Sequence, residues 1–475
     1  MFFGENAAFV HRPVSRCLRA ALLASALWVP SAQAADSLID ALVKAYQSNP
    51  QLLSERANLR ATDEEVAQAI AQWRPTITIN GDYSRIKSEN KTDPSPANPA
   101  GLNSESTSDP WSADITARQT VFAGGRILAQ RRQADAQVRA GRALLHSTEQ
   151  TVFISVISSY MNVVRDGNEV SLNEANVQLL RKQLEAAKAR FEVGEITRTD
   201  VAQAEARLSA GLALLTGAQA SLKASRLAYE RAVGEAPGTL DPKPAVPPIP
   251  ANEAEAREIG NLKNPTLVAA RESEAGSRYA IDFAVGQMLP TVSVQASYGR
   301  SGQERFPESI GDDTRVTATA TVPIYQGGAE WSAVRQAKEL NNRARLDTED
   351  ARRATDELVS NAWESYRAAK DSSEANRQQV KAAEIAFEGV QQELEVGSRT
   401  TLDVLNQQQE LLNARVALVR SERDEVVAGF GVLSAVGKLT AQELGLPVQL
   451  YDPVENYEMQ TWRPLGAATY EETKD

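Results

Sequence analysis

Hydrophobic and polar positions along this chain follow two different periods. In four stretches they alternate residue by residue. Ile77 and Ile79 alternate with Thr76, Thr78 and Asn80 ahead of Tyr83, while Ala113, Ile115, Ala117 and Val121 alternate with Ser112, Asp114, Thr116, Arg118 and Thr120. Farther on, Val292, Val294, Ala296 and Tyr298 alternate with Thr291, Ser293, Gln295 and Ser297, and Val316, Ala318, Ala320 and Val322 alternate with Thr317, Thr319 and Thr321. A period of two predicts strands with one apolar face, and about ten residues is the length a tilted strand needs to cross a bilayer. The polar run from Lys87 to Asp109, which holds Pro94, Pro96 and Pro99, predicts a mobile loop inside the first strand pair.

The rest of the chain reads as helix. Ser37 to Trp73 places Leu38, Ala41, Leu42 and Ala45 on one face, is interrupted at Asn49-Pro50 and is stopped by Pro75. From Gly125 to Gly194, and again from Gly328 to Gly397, there is no proline. A continuous helix of that length reaches roughly 100 Å, far beyond the three or four turns usual in a globule. The apolar patch Val152, Phe153, Ile154, Val156, Ile157, Tyr160, Met161, Val163 and Val164 falls in mid-helix, where lateral packing is expected to be thickest. Next, Val201, Leu208, Leu215, Leu222 and Tyr229 recur every seven residues, accompanied by the small Ala204, Gly211, Ala218 and Ser225. Val404, Leu411, Leu418 and Val432 repeat that series with Glu425 inserted in it, and a seven-residue period predicts supercoiling against a neighbouring helix.

These elements occur twice. Glu192-Val193-Gly194-Glu195-Ile196-Thr197-Arg198-Thr199-Asp200-Val201 returns as Glu395-Val396-Gly397-Ser398-Arg399-Thr400-Thr401-Leu402-Asp403-Val404. Gly124-Gly125 matches Gly327-Gly328, Asn49-Pro50 matches Asn264-Pro265, and Pro75 matches Pro290. The chain is a tandem duplication, and a repeat of this kind sets the architecture. The expected organisation is a leader at 1–34 and a first repeat at 35–235, comprising a helix, a β-hairpin at 76–122, a long helix at 125–193 and a helix at 199–233. A Pro-rich linker at 236–250 follows, then a second repeat at 251–438, with a helix, a hairpin at 291–325, a long helix at 328–396 and a helix at 402–436, and a tail at 439–475. The linker stretch from Pro237 to Pro250 carries six prolines and is stiff and extended.

Composition narrows the class. Aromatic residues make up only 6% of the 475, which favours long helices over compact cores. Arg12, Arg16 and Arg19, the apolar run Ala20 to Val29 and Ala32-Gln33-Ala34 read as a secretory signal cleaved after Ala34. The formal charge of −11 becomes more negative still when that segment leaves with three arginines and one glutamate. An acidic exported protein is a poor nucleic-acid binder. The single cysteine, Cys17, lies in the leader, so neither a disulfide nor a thiolate metal site is expected in the mature chain. No later run of 18 apolar residues is present, so any insertion in a membrane has to use strands.

Enzyme chemistry finds little footing. His146 stands alone in a helical tract, and Gly431 to Leu439 departs from a phosphate loop in its spacing and in carrying Leu439 where a magnesium-binding hydroxyl is required. Neither an activity nor a cofactor is expected. The repeated motif reads first as a helix-turn-helix tip, with Gly194 and Gly397 ending one helix and the Thr and Asp residues capping the next. Four membrane-length strands cannot close a barrel, and open edges in lipid strand their backbone groups. Several chains therefore have to share one barrel.

Over its mature length the chain resembles the TolC-type outer-membrane efflux proteins. The resemblance is carried by the duplication, the Asn-Pro and Pro marks, Val121-Phe122-Ala123-Gly124-Gly125, Val322-Pro323-Ile324-Tyr325-Gln326-Gly327-Gly328 and the two tips. The tail Leu446-Pro447-Val448-Gln449-Leu450-Tyr451-Asp452-Pro453 is similar to the branch serving type I protein secretion.

What the resemblance implies is a mainly α fold with a small β part. A homotrimer would pool four strands per chain in a twelve-stranded outer-membrane barrel, continued by an α-helical tunnel across the periplasm to a closed tip. A periplasmic adaptor would meet the tips at Val193, Gly194, Thr197, Val396, Gly397 and Thr400 and link them to an inner-membrane ABC or proton-driven transporter. Thr199 and Asp200 fall where the first hairpin of the family holds the tip closed, and Arg399 where the second reaches across to it. Asp403 falls at a lumen-facing position near the constriction. Asn406 replaces an acidic residue and Leu394 an aromatic hydroxyl of well-known members. Long hairpins alone also suit a periplasmic coiled-coil adaptor or structural protein without a pore, in which the four amphipathic strands would have no use.

Overall fold

The computed structural model describes residues 37–94, 96, 102–303 and 309–469, so the predicted leader lies outside the described residues. The first repeat runs α1 (Leu38–Ser48), α2 (Pro50–Ala71), β1 (Thr76–Tyr83), β2 (Ile86–Thr92), β3 (Leu102–Ser108), β4 (Trp111–Ala123), α3 (Arg126–Glu192) and α4 (Arg198–Val233). The second runs α5 (Glu253–Lys263), α6 (Pro265–Gly286), β5 (Thr291–Gly302), β6 (Ile310–Thr321), α7 (Ala329–Glu395) and α8 (Thr401–Ala435), and α9 (Glu455–Thr461) lies in the tail.

α3 and α7 are unbroken helices of 67 residues each. The shorter helices stack end to end beside them, and the repeated Asn-Pro explains how. Asn49 caps α2 by accepting from Gln51 N–H at 3.0 Å, while its own amide donates to Ala232 O, at the end of α4, at 3.0 Å. Asn264 caps α6 through Thr266 and Leu267 N–H and donates to Ala435 O, the last residue of α8, at 3.0 Å. In both copies proline follows at the first helical position, where its missing N–H costs nothing. One side chain thus joins the start of one helix to the end of another and makes two short helices track one long one. α3 packs between α2 with α4 on one flank and α6 with α8 on the other; α7 packs against α6 and α8 at the edge of the chain.

The small residues of the heptad series decide the spacing of α4 against α3. Ala204, Gly211, Ala218 and Ser225 are buried, and a Cβ on Gly211 would stand 2.9 Å from Leu180 Cδ1. Tyr229 is buried as well, while Val201, Leu208, Leu215 and Leu222 are only half-buried. The main core lies at mid-height. There the patch from Val152 to Val163 meets α1, the ends of α4 and α8, and linker residues Leu240, Val246 and Ile249. Tyr160 fastens the linker, its hydroxyl accepting from Asp241 N–H at 2.8 Å and donating to Asp241 O at 3.1 Å.

The strands form an antiparallel sheet in the order β1-β4-β5-β6, with β1 and β6 as free edges. Its register aligns like with like: Ile77, Ala117, Ala296 and Val316 lie in one row, Thr78, Thr116, Ser297 and Arg315 in the next. One face therefore carries Ile77, Ile79, Tyr83, Ile115, Tyr298 and Val316, all exposed. The other carries polar groups, such as the Asn80 amide donating to Asp114 at 3.0 Å.

Three local features depart from the sequence reading. The polar run read as a mobile loop contains β2 and β3, paired as a separate antiparallel ribbon. Lys87 and Glu105 pair across it, and Arg85 grips Asp109 at its base through two bonds of 2.8 and 3.2 Å. Strict alternation in β4 also fails at Val121, where a bulge between Thr120 and Phe122 shifts the register. Finally, the proline-containing tail makes α9, whose Asn456 donates to the buried Asp63 at 2.8 Å.

Candidate gate at the tips of the helical hairpins

Each repeat ends in a tip built by the same rules. Val193 and Val396 close the long helices, and Gly194 and Gly397 follow at φ +80° and +78°, the left-handed conformation that a residue without a Cβ adopts freely. The turn locks itself: Gly194 N–H donates to Phe191 O and Glu195 N–H to Arg190 O, both at 2.9 Å. In the second tip Gly397 N–H donates to Leu394 O at 3.0 Å and Ser398 N–H to Glu393 O at 2.9 Å.

Thr197 and Thr400 then start the returning helices with capping boxes. Asp200 Oδ2 accepts from Thr197 Oγ1 at 2.8 Å and Thr197 N–H at 2.9 Å, and Asp200 N–H returns a bond to Thr197 Oγ1 at 3.4 Å. The Thr400–Asp403 box reproduces these bonds at 2.8, 2.9 and 3.3 Å. Both carboxylates are held below the ordinary carboxylate range, first by the backbone N–H and then by the hydroxyl of their threonine. Two apolar knobs complete the surface. Val193 is 77% and Val396 80% exposed.

Within one chain the two tips do not bond to each other among the described residues. Thr199 is exposed on the first tip, while Arg399 on the second donates to Glu393 of its own turn at 2.8 Å. That carboxylate, and then Asp403, push the Arg399 pKa up. Leu394 is half-buried in a cleft shared with Arg190, Gln391, Thr401 and Val404. Asn406 is engaged: it accepts from Arg207 Nη2 at 2.8 Å, which is the hydrogen bond between hairpins closest to the tips among the described residues.

The hairpins are joined more firmly higher up, by residues that the sequence reading missed. Gln408 donates to Asn176 Oδ1 at 2.6 Å between α8 and α3, and both are buried. Arg420 grips Glu169 through two bonds of 2.8 and 3.2 Å, and Arg423 donates to Asn162 Oδ1 at 3.0 Å. The available signal was a glutamine standing in the buried stripe Val404, Leu405, Leu411 and Leu412. The consequence is mechanical: the two hairpins are fixed along their upper length and, among the described residues, share no hydrogen bond beyond Asn406 towards the tips.

A sheet with one apolar face, carried on helices far longer than a globule's and ending in paired, capped tips, defines an outer-membrane channel of the tunnel type. The outer membrane efflux protein family model matches residues 41–235 and 261–437, both repeats, and the chain belongs to that family. It is 34% identical to outer membrane efflux protein BepC of Brucella suis over 95% of this chain and 96% of that one. It is 25% identical to alkaline protease secretion protein AprF of Pseudomonas aeruginosa over 71% and 72%. Among solved structures, the Campylobacter jejuni CmeC outer membrane channel superposes with a TM-score of 0.74 at 15% identity, covering 90% of this chain and 89% of that chain. The protein is thus an outer-membrane exit duct that extends into the periplasm.

Proposed function

We propose that three copies of this chain form a gated duct, opened at the tips by a periplasmic adaptor and emptied into by an inner-membrane ABC or proton-driven pump. The observation that carries this reading is the sheet. β1 and β6 each keep one edge unpaired, the directions alternate along β1-β4-β5-β6, and a neighbour's β1 can therefore continue β6 antiparallel around a closed ring. Closure removes every edge from lipid. The helices support the same assembly. α7, at one edge, exposes Leu340, Leu346, Leu358 and Ile385, and α4, at the other, exposes Leu212, Leu214 and Leu227.

In the closed assembly Arg399 exchanges Glu393 for Thr199 or Asp200 of another tip, and Asp403 from each copy forms a carboxylate ring that favours cations. Val193, Gly194 and Thr197, with Val396, Gly397 and Thr400, offer the adaptor two apolar knobs on rigid turns. AprF, by its name, serves secretion of a protease, and the tail Leu446 to Pro453 points to protein cargo for this duct too. The test is fractionation with crosslinking. Heat-dissociable trimers in the outer membrane, with Val396→Cys trapping an adaptor, support the reading; soluble monomers would contradict it.

A further inference from the structure

The tail climbs the outside of α2 and α3 towards the strands. Tyr451 N–H donates to Tyr46 Oη at 3.0 Å near mid-height, Asn456 donates to Asp63 at 2.8 Å and Tyr457 Oη to Asp135 at 2.9 Å farther up, and Arg74 Nη2 donates to Thr461 O at 3.2 Å. Arg74 stands two residues before Thr76, where β1 begins. Beyond Thr461 the chain folds on itself. Arg463 N–H donates to Gln460 O at 3.1 Å, its guanidinium donates to Ala468 O at 3.0 Å, and Gly466 makes the turn at φ +106°.

This turn presents Trp462 and Leu465 outward, 75% and 85% exposed. Trp73, beside Arg74, is exposed too. At the foot of a membrane-crossing strand, tryptophan suits the headgroup layer and leucine the acyl boundary beneath it, while Arg74 and Arg463 supply charge for lipid phosphates.

We propose that Trp462 to Ala468 form a lipid anchor seated in the periplasmic leaflet of the outer membrane, binding phospholipid headgroups and upper acyl chains. The proposal rests on β1 and its sheet crossing that membrane. Continuity with the strand is what selects lipid as the occupant: the hydrogen bond from Arg74 to Thr461 O holds the turn at the level where the lipid-facing surface starts.

Cys17 is the only cysteine, so in a Cys17→Ser background a single introduced thiol reports one place. Full-length protein carrying Leu465→Cys or the milder Ala467→Cys is labelled with an environment-sensitive fluorophore and reconstituted in phosphatidylethanolamine–phosphatidylglycerol vesicles. Ile79→Cys on the apolar sheet face and Val193→Cys at the tip are the controls. Brominated lipid is expected to cause loss of emission at 465 and 467 as it does at 79, with soluble iodide acting only at 193. Iodide quenching at 465 and 467, with 79 still quenched by lipid, overturns the anchor. Shielding of 465 and 467 from both quenchers overturns it as well, because a neighbouring subunit then covers the turn. Absence of lipid quenching at 79 would instead remove the membrane placement of the sheet itself.

Discussion

Asn264 illustrates how much one side chain decides here. It is 4% exposed, and it both caps α6 and satisfies the terminal carbonyl of α8. Asn264→Ala removes the cap, worth about 1 kcal/mol, and leaves a buried carbonyl unpaired, worth about 1–3 kcal/mol more. Asn49→Ala at the half-buried equivalent is expected to lower the melting temperature by less, and equal losses would contradict this account. The Asn-Pro repeat was legible in the sequence as a mark. Its function was not, because the acceptors Ala232 and Ala435 lie 183 and 171 residues away along the chain.

The tip carboxylates hold their turns against mild acid. Asp200 and Asp403 have folded pKa values below their ordinary 3.8, so their contribution is present above that value and lost only as pH falls through the lowered one. Amide exchange at Thr197 and Thr400 is therefore expected to show the same opening equilibrium, after correction for intrinsic rates, from pH 7 to pH 5. Asp200→Asn is expected to raise opening at Thr197 across that whole range. Opening that sets in near pH 6 in the wild type would show that the boxes do not hold the turns.

At the scale of elements, period was the reliable signal. Alternation located β1, β4, β5 and β6, and freedom from proline located α3 and α7. What periodicity missed was held together by side-chain pairs between distant segments. β2 and β3 are mostly polar and show no alternation, and α9 is too short to show a face of its own. Its anchor is Asn456 on Asp63, a carboxylate that burial pushes up and that this amide pulls back. Asn456→Ala should therefore free the tail: about 1–3 kcal/mol is lost from that contact, and limited proteolysis is expected to cut between 452 and 462 faster than in the wild type. Unchanged cleavage there would mean that Tyr457 and Arg74 hold the segment without it. Gly437 is a second constraint of this kind. A Cβ there would stand 2.3 Å from Lys263 O at positive φ, so Gly437→Ala should separate the end of α8 from the junction of α5 and α6 and lower thermal stability.

The whole molecule follows from edges that one chain cannot pair. Two strand edges and the apolar edges of α7 and α4 suit further copies, and the long rods carry that assembly to two tips that, among the described residues, share no hydrogen bond within one chain. Duplication, strands, rods and tips were all readable in the sequence. The bonds between hairpins were not, because Arg207 with Asn406 and Glu169 with Arg420 join residues 199 and 251 apart. We propose that contacts among the tips of the assembled copies close the duct. Exposed ion pairs of this sort are individually weak, so an adaptor that binds the open tip better can shift the population. The most direct measurement is single-channel conductance of purified trimers in a planar bilayer, wild type beside Arg399→Ser. A small, cation-preferring conductance that rises in the variant while the trimer stays intact is the predicted result; intact inserted trimers with the same conductance in both would contradict the lock.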